Sequence, residues 1–522
     1  MVEQTHEQRQ QGGADPANAE TDLPPLAQQV GEYVRAAFGG LVVETDEPED
    51  ALAELYRLCD TLGWQLASWT LAGGLVDGQH AGDPAGTLDA LDAADGQVPL
   101  ILAMRGLHRF LQSPELISRL ERRLHEGKTQ RTCVVLLVPA GGVDLPPELR
   151  PLTVTLRHER PGREELDTLL RLVASEPGEC PPDASHLVDA AAGLTRGEAE
   201  SAAALSLVRH GQLSSGPLWQ LKSEAVRSGG LMTISRAEDD FETDAAAAAH
   251  PQGFGSLRGL DALKDFAFRS LTSDAVDARG LLLLSPPGCG KSQFAKAFSA
   301  ETGRPLVQLD VGRLLGSLVG ESERNLRTAL GQIEAMQHVV VLLDEVDKCL
   351  TSGDRDSGVG QRLLGTLLTW MQERAGRSGA YIVMTANDAR KLPPELTRAE
   401  RLDATFFVDL PDAATRSDIW SLYLDRYGHD AGCERPADVG WTDAEIRSCC
   451  RISRMLSITP VEAARYVVPV SRTSREKIDR LRRWAAGRCL DAHAGGPYRA
   501  STMTKTSGKR RSVSKRTEPS DN

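Results

Sequence analysis

The sequence predicts an α/β fold: a parallel sheet with a phosphate-binding turn and a C-terminal helical lid, preceded by a second α/β domain of the same plan. Three observations carry this. Apolar runs at Leu281–Leu284, Val339–Leu343 and Tyr381–Met384 read as buried parallel strands with helical stretches between them. The first of these runs into a glycine-rich turn, Ser285-Pro-Pro-Gly-Cys-Gly-Lys-Ser292, ahead of a helical pattern. Finally, the chain repeats itself. Leu145-Pro-Pro-Glu-Leu149 recurs as Leu392-Pro-Pro-Glu-Leu396, and Gly193-Leu-Thr-Arg-Gly-Glu198 is echoed by Gly440-Trp-Thr-Asp-Ala-Glu445, with an offset of 247 residues in both cases.

Each element then takes a chemical role. In the turn, Gly288 and Gly290 let the backbone curl so that successive N–H groups face inward, the requirement for cradling phosphates. Lys291 adds a positive charge for the β- and γ-phosphates, and the Ser292 hydroxyl suits Mg²⁺. The helix expected over 293–300 puts the phosphates at a helix N-terminus. The strict P-loop pattern has glycine first, where this chain has Ser285, but the later glycines make the closest approach. Ser285, Pro286, Pro287, Gly288, Cys289, Gly290, Lys291 and Ser292 are therefore the expected ATP-binding turn. The second strand ends in Asp344-Glu345, which places Asp344 beside Mg²⁺ together with Ser292. Glu345 is then placed to polarise a water in line with the γ-phosphate. The third strand ends in Asn387.

With these motifs in order, the chain resembles the AAA clade of the AAA+ ATPases over about residues 254–488. The resemblance implies that Asn387 helps position the attacking water. It matches Gly320-Glu-Ser-Glu-Arg-Asn325 to the clade's second conserved region. It places two arginine fingers on Arg398 and Arg401, acting on a neighbouring subunit's γ-phosphate, with Glu400 where the family has glycine. Gly440–Ile446 matches the start of the lid helix that touches adenosine, with Asp443 in place of a glycine. Leu318 stands where many members carry a pore aromatic, a smaller gripping surface. A closer resemblance is to an AAA branch known from plastid genomes, cyanobacteria and other bacteria. It rests on Trp370-Met-Gln-Glu373, Leu392–Leu396 and a long N-terminal region. The family implies a homo-oligomeric ring, most simply a hexamer.

The N-terminal copy carries none of the phosphate chemistry. Gly40-Leu-Val-Val-Glu44 corresponds to the first strand, but Thr45-Asp-Glu-Pro-Glu-Asp50 follows it, without Gly-Lys-Ser, and carboxylates there repel phosphate. The counterpart of the acidic strand end, Leu100–His108, has no Asp-Glu pair, and His108 reads as a packed or surface histidine. Residues 26–230 are therefore expected to form a degenerate ATPase-like α/β domain.

Composition sets the remaining bounds. A chain of 522 residues with 41% apolar content supports two or three domains with sizeable cores. A net charge of −13 argues against a general polyanion-binding surface. Nine scattered cysteines without a CxxC pair indicate reduced thiols and a cytoplasmic protein. The first residues, with no basic region and no apolar core, lead us to expect no signal peptide, and no run of the sequence approaches a membrane span. The expected organisation is a disordered 1–25, the degenerate domain 26–230, a linker 231–255, a large ATPase subdomain 256–411, a helical lid 412–490 and a basic disordered tail 491–522. Residues 351–360 are expected as a mobile loop. The expected function is Mg-dependent ATP hydrolysis that remodels an unidentified protein client. Two alternatives stay open: a slow ATP-dependent assembly switch, and a DNA-associated ATPase acting through the basic tail.

Overall fold

The computed structural model describes residues 23–75, 78–93, 96–236, 253–273, 276–310, 313, 321–348, 357–373, 379–392, 396, 401–430 and 432–500. The N-terminal half runs α1 (Pro25–Arg35), β1 (Gly40–Thr45), α2 (Pro48–Leu62), β2 (Gln65–Thr70), β3 (Leu100–Arg105), α3 (Pro114–Gln130), β4 (Thr132–Pro139) and β5 (Val154–Arg157). Local sequence sets the boundaries. Proline opens α2 and α3 at the first helical position, where its missing N–H costs nothing, and left-handed Gly63 stops α2. β4 is an unbroken apolar run, buried on both faces as a central parallel strand requires. Four helices follow: α4 (Arg163–Val173), α5 (Ser185–Ala191), α6 (Arg196–His210) and α7 (Ser215–Ser228), packed around their own apolar core.

The C-terminal half continues with β6 (Met232–Ser235), α8 (Asp261–Leu271), β7 (Gly280–Leu284), α9 (Lys291–Thr302), β8 (Leu306–Leu309), α10 (Glu321–Met336), β9 (Val340–Leu343), α11 (Ser357–Glu373), β10 (Tyr381–Ala386) and β11 (Ala404–Phe407). The lid carries α12 (Ala413–Arg426), α13 (Asp443–Leu456) and α14 (Arg475–Ala485), and the chain returns to the sheet as β12 (Leu490–Asp491). Asp412 caps α12 by accepting Thr415 N–H at 2.8 Å.

The two sheets share one topology. The N-terminal sheet has the order β2-β3-β4-β1-β5, and the C-terminal sheet contains β8-β9-β10-β7-β11 with β12 and β6 added at its two edges. The registers agree as well. Leu41 pairs with Val135 and Val154, and Leu281 pairs with Val383 and Ala404. The fold is thus a P-loop-type parallel sheet with a helical lid, preceded by an α/β domain of the same strand order.

Three expectations are corrected. Residues 232–235 are not linker: they form β6, which pairs antiparallel with β8 and buries Met232 and Ile234 in the ATPase core. The folded chain does not end at 490. Tyr498 is buried, its ring lies 4.5 Å from that of Phe407, and its hydroxyl donates to Asp409 at 2.6 Å. The loop expected at 351–360 gives way to α11 at Ser357, and residues 351–356 lie outside the described residues. So do residues 1–22, the tail beyond Ala500, Leu318 and Gly320.

The halves touch along α10. Thr328 donates to the Ala140 carbonyl at 3.2 Å. Gly141 and Gly193 both have positive φ, and a Cβ on either would fall within 2.9 Å of α10 atoms, so glycine is what permits this approach.

Candidate nucleotide site

β7 delivers the glycine turn and α9 begins at its end. Gly288 and Gly290 adopt φ of 85° and 81°, which opens the turn. Ala444, in the first turn of lid helix α13, donates its N–H to the Gly288 carbonyl at 3.1 Å, so lid and turn are in direct contact. Lys291 is buried. Its Nζ donates to Ser285 Oγ at 2.9 Å and to Asn387 Oδ1 at 2.8 Å. Burial pulls the Lys291 pKa down, opposed by Cys289, Asp344, Asp347 and Glu345 nearby. Cys289 is buried and its thiol is pushed up to about 12 by desolvation, so it is not a reactive thiolate.

β9 ends at Leu343 and presents the two acids. Asp344 Oδ2 accepts from Ser292 Oγ at 2.9 Å, and Oδ1 accepts from the Thr385 hydroxyl. Glu345 turns into the left-handed region at φ 53°, and its N–H donates to Thr385 Oγ1 at 2.8 Å. Its Oε1 accepts from Asn387 Nδ2 at 2.9 Å, and its Oε2 pairs with Lys348. Buried Asp347 accepts the backbone N–H groups of Asn387 at 3.1 Å and Asp388 at 3.2 Å, which fixes the turn that presents Asn387.

These groups line a cleft of about 350 Å³ between the sheet and the lid. On the lid side it is walled by Tyr423, Asp443 and Arg447. Desolvation holds the Asp443 carboxyl above its usual range, and Tyr423 donates to it at 3.2 Å. A hydroxyl, a carboxylate and room for phosphate oxygens form a hard-oxygen donor set, which fits Mg²⁺. Of the expected site residues, Pro287, Gly288, Gly290, Lys291, Ser292, Asp344, Glu345 and Asn387 line this one cleft. Ser285 sits behind the turn, bonded to Lys291. Arg401 opens the turn before β11 and is not among the cleft's lining residues, and Arg398 lies outside the described residues.

Sequence reasoning missed Thr385, Asp347, Tyr423 and Arg447. Thr385 had a signal: an aliphatic hydroxyl at the end of a buried, mostly apolar run, two residues before Asn387. The lid residues had none, because only folding brings them to the turn.

Residues 281–410 match the family described as "ATPase family associated with various cellular activities (AAA)". Residues 26–158 match "SpoVK-like AAA ATPase, N-terminal domain", and residues 164–229 match "SpoVK-like AAA ATPase, second domain". The chain is thus a nucleotide-binding AAA ATPase with SpoVK-like N-terminal domains. Among its relatives is the uncharacterized AAA domain-containing protein ycf46 of Trieres chinensis, 28% identical over 76% of this chain and 80% of the relative. The ycf46 protein of Guillardia theta is 27% identical over 77% of this chain and 82% of its own length. The chain is homologous to these plastid AAA proteins over most of its length. The mouse nuclear valosin-containing protein-like protein is 38% identical over 26% of this chain and 16% of the relative. No helix among the described residues is long and apolar enough to cross a membrane.

Proposed function

We propose that ATP is bound by the 285–292 turn and hydrolysed with Mg²⁺ held by Ser292 and Asp344, and that hydrolysis remodels a protein partner. Lys291 contacts the β- and γ-phosphates. Glu345 orients the attacking water, and Asn387 aligns Glu345 while reading the γ-phosphate. Mg²⁺ supplies charge neutralisation at the phosphate oxygens. Arg398 or Arg401 completes a neighbouring subunit's site, so the active form is a homo-oligomeric ring, most simply a hexamer. Residues 26–230 act as a degenerate, non-hydrolysing partner domain, 256–411 as the large ATPase subdomain and 412–490 as its lid. The free cysteines support a reducing compartment, the cytoplasm.

The observation that carries this reading is the hydrogen-bonded chain Lys291–Asn387–Glu345 beside Ser292–Asp344 in one cleft. Affinity capture with Glu345→Gln tests it. That variant should bind ATP without turning it over and retain the client. Normal turnover in it would refute the site assignment. A client that stimulates hydrolysis marks a remodeller, whereas slow turnover that no client changes marks an assembly switch.

A further inference from the structure

We infer that Thr385 is a positioning residue for hydrolysis: its hydroxyl clamps Asp344 and Glu345 in the arrangement the reaction needs. The inference rests on the reading that these two acids serve MgATP hydrolysis.

The argument starts from burial. Thr385 is fully buried on β10, on the face that otherwise presents Tyr381 and Val383 to the apolar core under α9. A hydroxyl there is costly unless it is hydrogen-bonded. Thr385 meets that demand in both directions, as its one donor and two lone pairs allow. It donates to Asp344 Oδ1 and accepts the Glu345 N–H at 2.8 Å.

Both bonds matter to the acids. The Glu345 N–H has left the strand ladder, because β9 ends at Leu343 and Glu345 sits at φ 53°. A side chain with a Cβ persists in that region only where its surroundings hold it. Thr385 holds the backbone, and Asn387 holds the carboxylate through Oε1. Asp344 is gripped between two hydroxyls, Ser292 on Oδ2 and Thr385 on Oδ1. When Ser292 turns to a metal ion, Thr385 still fixes the orientation of the Asp344 carboxylate.

The N-terminal sheet provides an internal control. Thr385 pairs with Leu283 through the strand register, and the matching residue pairing with Val43 is Leu137. Leu137 is buried and apolar, and its other neighbour is Arg105 rather than an acid. Where the acids are gone, so is the hydroxyl.

The test is steady-state hydrolysis by the full chain, with nucleotide affinity measured separately. Thr385→Val keeps the shape and removes both hydrogen bonds. Turnover should fall on the order of 10–100-fold, the loss typical of removing a residue that orients metal ligands. MgATP affinity should stay within about twofold, because the Lys291 contacts are untouched. Thr385→Ser should restore turnover to within a few-fold of the parent, because it restores the hydroxyl and not the methyl. Thr385→Val with parental turnover, or Thr385→Ser as slow as Thr385→Val, would overturn the inference. A parallel loss of nucleotide affinity would also overturn it, because that marks a packing role. Glu345→Gln is measured alongside. If it hydrolyses normally, the site reading fails and this inference falls with it. If it is inactive while Thr385→Val is normal, only the role of Thr385 fails.

Discussion

The N-terminal and C-terminal sheets have one strand order and matching registers, yet their chemistry differs where the ATPase sheet carries its phosphate-binding and acidic residues. Continuing the pairing registers puts Arg105 where the ATPase sheet has Asp344, and Pro139 where it has Asn387. Counting from the start of the first crossover helix, Pro48 and Glu49 stand at the positions of Lys291 and Ser292. The Ser292–Asp344 hydrogen bond is thus replaced by an ion pair of Glu49 with Arg105. That pair is exposed and contributes little to stability. The lids diverge too. Each helical region contains a helix opened by a Thr–Glu capping box, Thr195/Glu198 on α6 and Thr442/Glu445 on α13. The next residue is Arg196 in one and Asp443 in the other.

Arg196 turns back onto the site. It lies 3.1 Å from Asp50, 3.2 Å from Glu47 and 2.6 Å from Glu165. His158 sits beside it, 3.3 Å from Glu54 and 3.4 Å from Asp50. Where one sheet keeps an open cleft lined by Lys291 and the glycine turn, the other has filled the equivalent space with an arginine among carboxylates. The difference teaches that topology places a site but does not make one. The same frame holds phosphate chemistry in one half and an internal ion-pair network in the other.

Four measurements break or sharpen this comparison, and the largest effect is catalytic. Glu345→Gln should lower turnover roughly 10²–10⁴-fold, whereas Arg105→Ala, its neighbour's counterpart in the other sheet, should leave turnover within about twofold. Mixing Glu345→Gln with an Arg398→Ala/Arg401→Ala protein should recover part of the activity if fingers act between subunits. Full turnover by a monomer at nanomolar concentration would end that reading. The second measurement asks whether only one half binds nucleotide. Calorimetry on full-length Lys291→Ala should detect no MgATP binding at micromolar levels. Binding at that level would place nucleotide in the N-terminal half and collapse the contrast.

The third acts on the filled site. Arg196→Ala removes the cation shared by Glu47, Asp50, Glu54 and Glu165, leaving only His158 against Asp50 and Glu54, and should destabilise the chain by about 3 kcal/mol. Chemical denaturation reads this, and an unchanged midpoint would show that the network is idle. The fourth is pH. Burial pulls His158 down, but the Asp50 and Glu54 carboxylates beside its Nε2, the latter hydrogen-bonded to it at 3.3 Å, more than offset it and hold the imidazole at about 9. A pKa raised in the folded state stabilises the protein fully below the unfolded value near 6.5. That stabilisation, on the order of 3 kcal/mol, should be lost as pH rises through about 9. A His158→Gln chain should lose that part of the pH dependence. An equal slope in both proteins would show that His158 titrates normally.

The sequence by itself determined the central strands β1, β3, β7, β9 and β10, the phosphate turn, the two acids and the duplication. All of these are local: apolar runs of buried strands, glycines that need positive φ, and short segments repeated at one offset. Lys291, Ser292, Asp344, Glu345 and Asn387 were legible because each stands at the end of a strand or the start of a helix that the pattern already marked. Tertiary structure alone decided what lies across a sheet or a lid. Thr385 meets Asp344 and Glu345 from the next strand, and Tyr423 and Arg447 reach the cleft from the lid. β6 closes the ATPase sheet from the end of the N-terminal half, and Arg196 reaches across to Glu47, Asp50 and Glu54 from a helix more than a hundred residues away in the chain. The physical reason is the same in each case. A hydrogen bond or ion pair between distant segments depends on register and packing, and a sequence read one stretch at a time carries neither.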